Sequence, residues 1–197
     1  DGVPEEAVLE ELEARLVTDL TYESGQIMGS MISAAHPLAQ KVFAAHLETN
    51  VGDPGLFPAT VELEAEVISM LGDLLGRPEA HGRLVSGGSE ANVVALWAAR
   101  NRARDEKGIE RGRVICGANA HVSYDKAADL LGVELVKVPV TESYVMDVDA
   151  ARAAVDDKTI ALVALAGSTD LGAVDPIADL SDLAEERGLH LHVDAAF

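Results

Sequence analysis

The sequence has one cysteine, very few lysines and no long hydrophobic run. A lone Cys116 leaves no partner for an internal disulfide. It sits in the apolar run Val114-Ile115-Cys116, where a buried, unreactive thiol is expected. No apolar stretch approaches the ~20 residues that a membrane-spanning helix needs. No basic-then-apolar leader opens the sequence, so the expected location is cytoplasmic. The lysines are Lys41, Lys107, Lys126, Lys137 and Lys158. With 34 acidic against 15 basic residues, the formal net charge is −19. Such a surface repels nucleic acid and anionic membranes, so neither is expected as a partner. Clusters such as Glu5-Glu6, Glu10-Glu11, Asp156-Asp157 and Glu185-Glu186 fit a halophilic setting, where salt screens self-repulsion. The alternative is a merely acidic mesophilic protein.

What is present is enough for one sizeable core: 197 residues, 48% of them apolar. The stretch begins at Asp1 without a methionine and ends inside an apparent strand-to-loop junction, as a portion of a longer protein would. From Pro4 to Leu20, Val8, Leu9, Leu12, Leu16 and Leu20 recur at helical spacing. Tyr22 to Pro37 has no clear period. Leu38–Leu47 and about Thr60–Leu75 read as further helices, the latter stopped by Gly76 and Pro78. Asn50 to Gly55 is dense turn chemistry.

From Gly82 the pattern changes to strands alternating with helices. The expected strands are Arg83–Ser86, Val114–Cys116, Leu135–Pro139, Ile160–Leu165 and Leu189–Val193. Helices are expected at about 89–106, 123–131, 149–155 and 177–187. This succession predicts an α/β fold with a mostly parallel sheet flanked by helices. Ile160–Leu165 is almost wholly apolar and should be covered on both faces. The break near Gly76–Gly82 divides the chain into an N-terminal helical segment, 1–78, and an α/β domain, 79–197.

The chemistry-bearing residues fall where the expected strands end, the edge at which parallel sheets gather ligands. Ser86-Gly87-Gly88-Ser89 joins a strand to a helix. Gly87 and Gly88 allow backbone N–H groups to approach an anion, Ser89 adds a hydroxyl, and the helix start favours a phosphate dianion. A simple capped helix with nothing bound is the plain alternative. His192-Val193-Asp194-Ala195-Ala196 closes the last strand. A carboxylate there is costly without a cationic partner, and a protonated pyridine nitrogen would be one. Ala196 is small enough to lie beneath a flat ring; an Asp194 that merely caps the next element is the alternative. His121 offers a flat imidazole able to stack on a ring, or is an ordinary loop histidine. Thr169 or Ser168 offers a hydroxyl at the end of the fourth strand. Together these residues suggest pyridoxal 5′-phosphate (PLP).

With Ser24–Met31, His36-Pro37 and the run Glu48–Phe57, the sequence resembles the group II PLP-dependent amino-acid decarboxylases, most closely the archaeal tyrosine/aspartate branch. The resemblance covers nearly the whole chain, although Pro58-Ala59-Thr60 departs from a glycine-containing version. It implies fold type I, with 79–197 an incomplete PLP-binding large domain, and a homodimer acting on an amino-acid substrate. It gives Gly87, Gly88 and Ser89 to the phosphate, His121 to the ring face, Thr169 to a cofactor hydrogen bond, Asp194 to the ring nitrogen and Ala196 to the space beneath. His121 and Asp194 are the implied catalytic residues, and His36 and Asn50 would border the substrate. The family's Schiff-base lysine follows a histidine well beyond Asp194, and none of the five lysines here occupies that position. L-Aspartate decarboxylation to β-alanine, for coenzyme A synthesis, is the implied activity. L-Tyrosine decarboxylation, or another fold type I lyase or desulfurase, is the alternative.

Overall fold

The computed structural model describes residues 2–27 and 33–196. The Ser24–Met31 motif therefore lies partly outside the described residues, as does Phe197. The chain divides into two compact units, 1–49 and 50–197.

The first unit carries helix α1 (Glu5–Leu16), a 3₁₀ turn (Tyr22–Ser24) and helix α2 (Pro37–Ala45). Proline suits the first position of α2 because that N–H has no helical partner to lose. His36 caps the same end, its Nδ1 accepting from the Leu38 N–H at 3.1 Å. The apolar positions of α1 recur as expected, yet the helix buries none of its residues.

The second unit begins with helix α3 (Pro58–Leu74) and helix α4 (Gly88–Lys107). Strand β1 (Arg113–Gly117), helix α5 (Ser123–Leu131), strand β2 (Glu134–Val138) and helix α6 (Val148–Ala154) follow. Strand β3 (Thr159–Leu165), helix α7 (Ile177–Arg187) and strand β4 (His190–Asp194) complete it. The four strands are all parallel, in the order β2-β1-β3-β4. The α/β architecture expected from the sequence is therefore present.

Every residue of β3 is buried. Its side chains alternate between two cores, as a strand's period of two requires. Ala161, Val163 and Leu165 join Leu96, Ala99, Tyr124 and Ala127 from α4 and α5. Leu162 and Ala164 join Ala151, Leu180 and Leu183 from α6 and α7. Each fully buried leucine contributes roughly 1.5–3 kcal/mol. Helix α7 stops at Gly188, whose φ of 60° lets its N–H reach the Ala184 and Glu185 carbonyls. Cys116 is wholly buried in the first core, and that burial pushes its thiol up to about 12. The thiol stays protonated and inert, as the apolar run around it suggested.

One expected strand is absent. Arg83–Ser86 lies outside the sheet, with no strand beside it among the described residues. Side chains take its backbone donors instead. The buried Glu64 accepts from the Leu84 N–H at 2.8 Å, and Glu90 accepts from the Ser86 N–H at 2.7 Å. An apolar run between breakers identifies an extended segment, but a strand also needs a neighbour.

The end of β3 is fixed by a buried carboxylate. Asp175 Oδ2 accepts from the Leu165 N–H at 2.8 Å, and its Oδ1 accepts from the Met146 N–H at 2.7 Å. The loop between them is tied by Ser168, whose Oγ accepts from the Ala173 N–H at 3.1 Å.

Candidate active site

Parallel strands put their C-terminal ends on one edge, and here that edge collects the candidate residues. Gly117 ends β1 four residues before His121, Leu165 ends β3 just before Ser168 and Thr169, and Asp194 ends β4. Leu165 and Asp194 are in register across the sheet.

Helix α4 arrives at the same edge with its N-terminus. A Cβ built on Gly88 would stand 3.2 Å from the Ala196 Cβ, so the chain after β4 passes the helix start with almost no spare room. A side chain at Gly88 would require Ala196 to give way by a few tenths of an ångström. Ser89 is exposed on the first turn, where the leading N–H groups have no carbonyl partners within the helix. Glu90 is turned back onto the preceding loop, accepting from the Ser86 hydroxyl at 2.6 Å and from its N–H. Those two hydrogen bonds hold its carboxyl below the usual range.

Asp194 is the centre of a hydrogen-bonded group. Its Oδ2 accepts from Asn92 Nδ2 at 2.9 Å and from the Tyr124 hydroxyl at 3.0 Å, and its Oδ1 accepts from the Ala196 N–H at 3.1 Å. Asn92 Nδ2 also lies 3.1 Å from Ser123 Oγ, which is 2.9 Å from His121 Nδ1. On its other side, Asn92 Oδ1 is 2.9 Å from His192 Nε2. Asn92 is four residues into α4, about 6 Å along the axis from Gly88 at 1.5 Å per residue. The helix terminus and the carboxylate are thus within reach of one flat, small molecule.

The electrostatics suit a cationic ligand group at Asp194. No lysine or arginine pairs with it among the described residues. Its donors are two neutral side chains and a backbone amide, which orient the charge without cancelling it. Tyr124 is pushed well above its ordinary range, first by burial and then by the negative charge of Asp194, so its hydroxyl remains a donor. Burial also pulls His192 below the usual imidazole value, against the opposing pull of Asp194.

The structure brings Gly87, Gly88, Ser89, His121, Asp194 and Ala196 to one edge. It separates Ser168 from Thr169: Ser168 is buried and engaged in its own loop, whereas Thr169 is exposed. Of the suggested substrate-side residues, Asn50 is exposed, with Oδ1 accepting from the Gly52 N–H at 3.0 Å, and His36 caps α2 within the first compact unit. Lys126 is exposed on α5, as a surface residue. Sequence reasoning missed Asn92, Ser123, Tyr124 and His192. The one local signal was Asn92 itself, a poor helix former in the second turn of a helix.

A negative charge without a cation, a neutral donor set around it and a helix start closed by Gly88 and Ala196 match the demands of a pyridine ring bearing a phosphate. The chain matches the pyridoxal-dependent decarboxylase conserved domain over residues 2–197. It belongs to this family. It is 48% identical over 196 residues to a probable L-aspartate decarboxylase of Pyrococcus abyssi, covering 100% of this chain and 50% of that protein. A probable L-tyrosine/L-aspartate decarboxylase of Methanothermobacter thermautotrophicus is 47% identical, over 90% of this chain and 48% of its own length. The decarboxylase-family chain therefore spans about half the length of these curated relatives. Among solved structures, the sphingosine-1-phosphate lyase of Burkholderia pseudomallei superposes with a TM-score of 0.87 at 32% identity, over 98% of this chain and 47% of that one. Oryza sativa TDC, solved with PLP and tryptamine, superposes at 0.81 and 25% identity, over 99% and 48%.

Proposed function

We propose that the full-length protein containing this chain is a PLP-dependent amino-acid decarboxylase, with L-aspartate as substrate and β-alanine as product. The observation that carries this reading is Asp194, held by Asn92 and Tyr124 beside the α4 N-terminus and with no basic partner among the described residues. When bound, PLP supplies a ring that accepts the electron pair left on Cα as carbon dioxide departs.

The residues of the chain have separate tasks. The first turn of α4, with Gly87, Gly88 and the Ser89 hydroxyl, binds the phosphate. Asp194 keeps a proton on the ring nitrogen, and this keeps the ring electron-poor. His121 would stack on the ring, Ala196 would pack beneath it, and Thr169 would donate a hydrogen bond to the cofactor. His36 and Asn50 border the substrate. The names of the archaeal relatives favour aspartate, with L-tyrosine, giving tyramine, as runner-up.

The apolar stripes on α1 and α3 supply material for a homodimer interface. The acidic surface fits a cytoplasm rich in salt, and β-alanine production fits coenzyme A synthesis. A second reading, a carbon–carbon lyase, is favoured by the likeness to the sphingosine-1-phosphate lyase. Carboxyl-labelled L-aspartate and L-tyrosine, supplied to the full-length holoenzyme, separate these readings. Labelled carbon dioxide with β-alanine is the expected result. Release of an aldehyde or sulfide from the corresponding substrates, with no carbon dioxide, would overturn it.

A further inference from the structure

The hydrogen-bonded group around Asn92 is closed at both ends by atoms that have only one possible role. At one end, Asp194 Oδ2 as a carboxylate oxygen can only accept, so the Asn92 atom facing it at 2.9 Å is the amide nitrogen. That places Asn92 Oδ1 opposite His192 Nε2, and an amide oxygen can only accept. His192 therefore carries its proton on Nε2.

At the other end, the Ser123 backbone N–H can only donate, and it points to His121 Nδ1 at 3.2 Å. His121 Nδ1 therefore bears no proton, and the neutral ring is protonated on Nε2. Between these ends, the second Asn92 amide proton goes to Ser123 Oγ, which leaves the Ser123 hydroxyl proton for His121 Nδ1. Every proton in the chain of contacts has one direction, and the single asparagine amide joins its two halves. Asn92 is only 3% exposed, so water does not compete for these positions.

We infer that Asn92 is a positioning residue which, through one uncharged amide, orients the Asp194 carboxylate and couples it through Ser123 to the His121 ring. Tyr124 assists on the same oxygen, so Oδ2 takes both side-chain donors while, among the described residues, Oδ1 takes the Ala196 N–H. A lysine or arginine in the place of Asn92 would cancel the charge it holds. An amide keeps that charge available to a cationic ring nitrogen. The inference rests on the PLP reading for its consequence, but not for its proton directions.

Imidazole nitrogen NMR of the full-length protein without coenzyme, labelled in histidine, tests the directions with no substitution. Both His121 and His192 should show the Nε2–H form in their neutral state; an Nδ1–H form at either ring overturns the assignment. In the full-length holoenzyme, Asn92→Asp places a second carboxylate against Asp194 and removes the donor. It should lower kcat roughly 10- to 100-fold, the loss of a hydrogen bond to a charged group. KM should change less, and the pH titration of the coenzyme's visible band should move. Without coenzyme, the same variant should raise the His192 titration midpoint, while Asn92→Gln, retaining the amide, should recover part of the loss. A folded Asn92→Asp with wild-type kcat and band titration would overturn the inference. Should that variant not fold, Asn92→Ala removes the amide without adding a charge, and a wild-type kcat and band titration there are equally fatal. Failure of the wild-type holoenzyme to bind PLP or release carbon dioxide would sink the proposed function alone, since the imidazole spectra still decide the proton directions.

Discussion

In α1, Val8, Leu9, Leu12 and Leu16 are each close to half exposed, whereas in β3 no residue from Thr159 to Leu165 escapes burial. Both segments are rich in apolar residues, at helical spacing in α1 and almost without interruption in β3. Only β3 has a second surface on each side. The same contrast holds for α3, which buries Glu64 and Gly72 while Leu63, Met70 and Leu74 stay exposed. Apolar spacing thus specifies which element forms, and the presence of a packing partner decides whether that spacing yields stability. Strand β3 is covered on both faces by helices of this chain, whereas the stripes of α1 and α3 stay largely exposed among the described residues.

The sharpest way to break this contrast is at the C-terminal edge of the sheet. In the full-length holoenzyme, Asp194→Ala should lower turnover on the order of 10²- to 10³-fold, the cost of removing a partner from a desolvated charge pair. Coenzyme affinity should fall less, and wild-type turnover would remove Asp194 from the site. Within the core, Leu162→Ala should cost about 2–5 kcal/mol in denaturant unfolding, through lost burial and a cavity that packed neighbours cannot fill. Ser89→Ala should weaken coenzyme affinity roughly tenfold or more by spectral titration, because a hydroxyl bond to a charged phosphate is lost. Unchanged affinity would argue against the phosphate assignment.

A smaller effect is expected from pH. Burial holds both His190 and His192 below the ordinary imidazole value, so the unfolded chain binds protons that the fold refuses. Stability should be complete above about pH 6.5 and decline as pH falls through the folded values. Flat unfolding midpoints across that range would contradict the burial of these rings. The least effect is expected from Leu12→Ala, within about 0.5 kcal/mol for an isolated protomer. A larger loss that grows on dilution would instead show that α1 packs against a second copy.

The sequence makes the α/β half legible because its signals are local. Helices α5 and α7 have the bounds expected from spacing alone, and β3 announces its two-sided burial by its composition. Arg83–Ser86 misleads because pairing depends on a neighbour that local pattern does not encode. The residues quoted for the phosphate and the ring stand out because glycine, aspartate and histidine are unusual at strand ends. Asn92 and Tyr124 do not stand out, because their partner Asp194 is 102 and 70 residues away. Ser123 resembles a helix cap, but the cap position belongs to Val122, and the serine hydroxyl is used by His121 and Asn92.

Asp175 carries a mechanical consequence. Its two oxygens rivet the exit of β3 and the turn at Met146 to one point, and the loop bearing Thr169 hangs from that point. A disturbance at Met146 is therefore carried through one carboxylate both to the last residue of β3 and to the loop bearing Thr169.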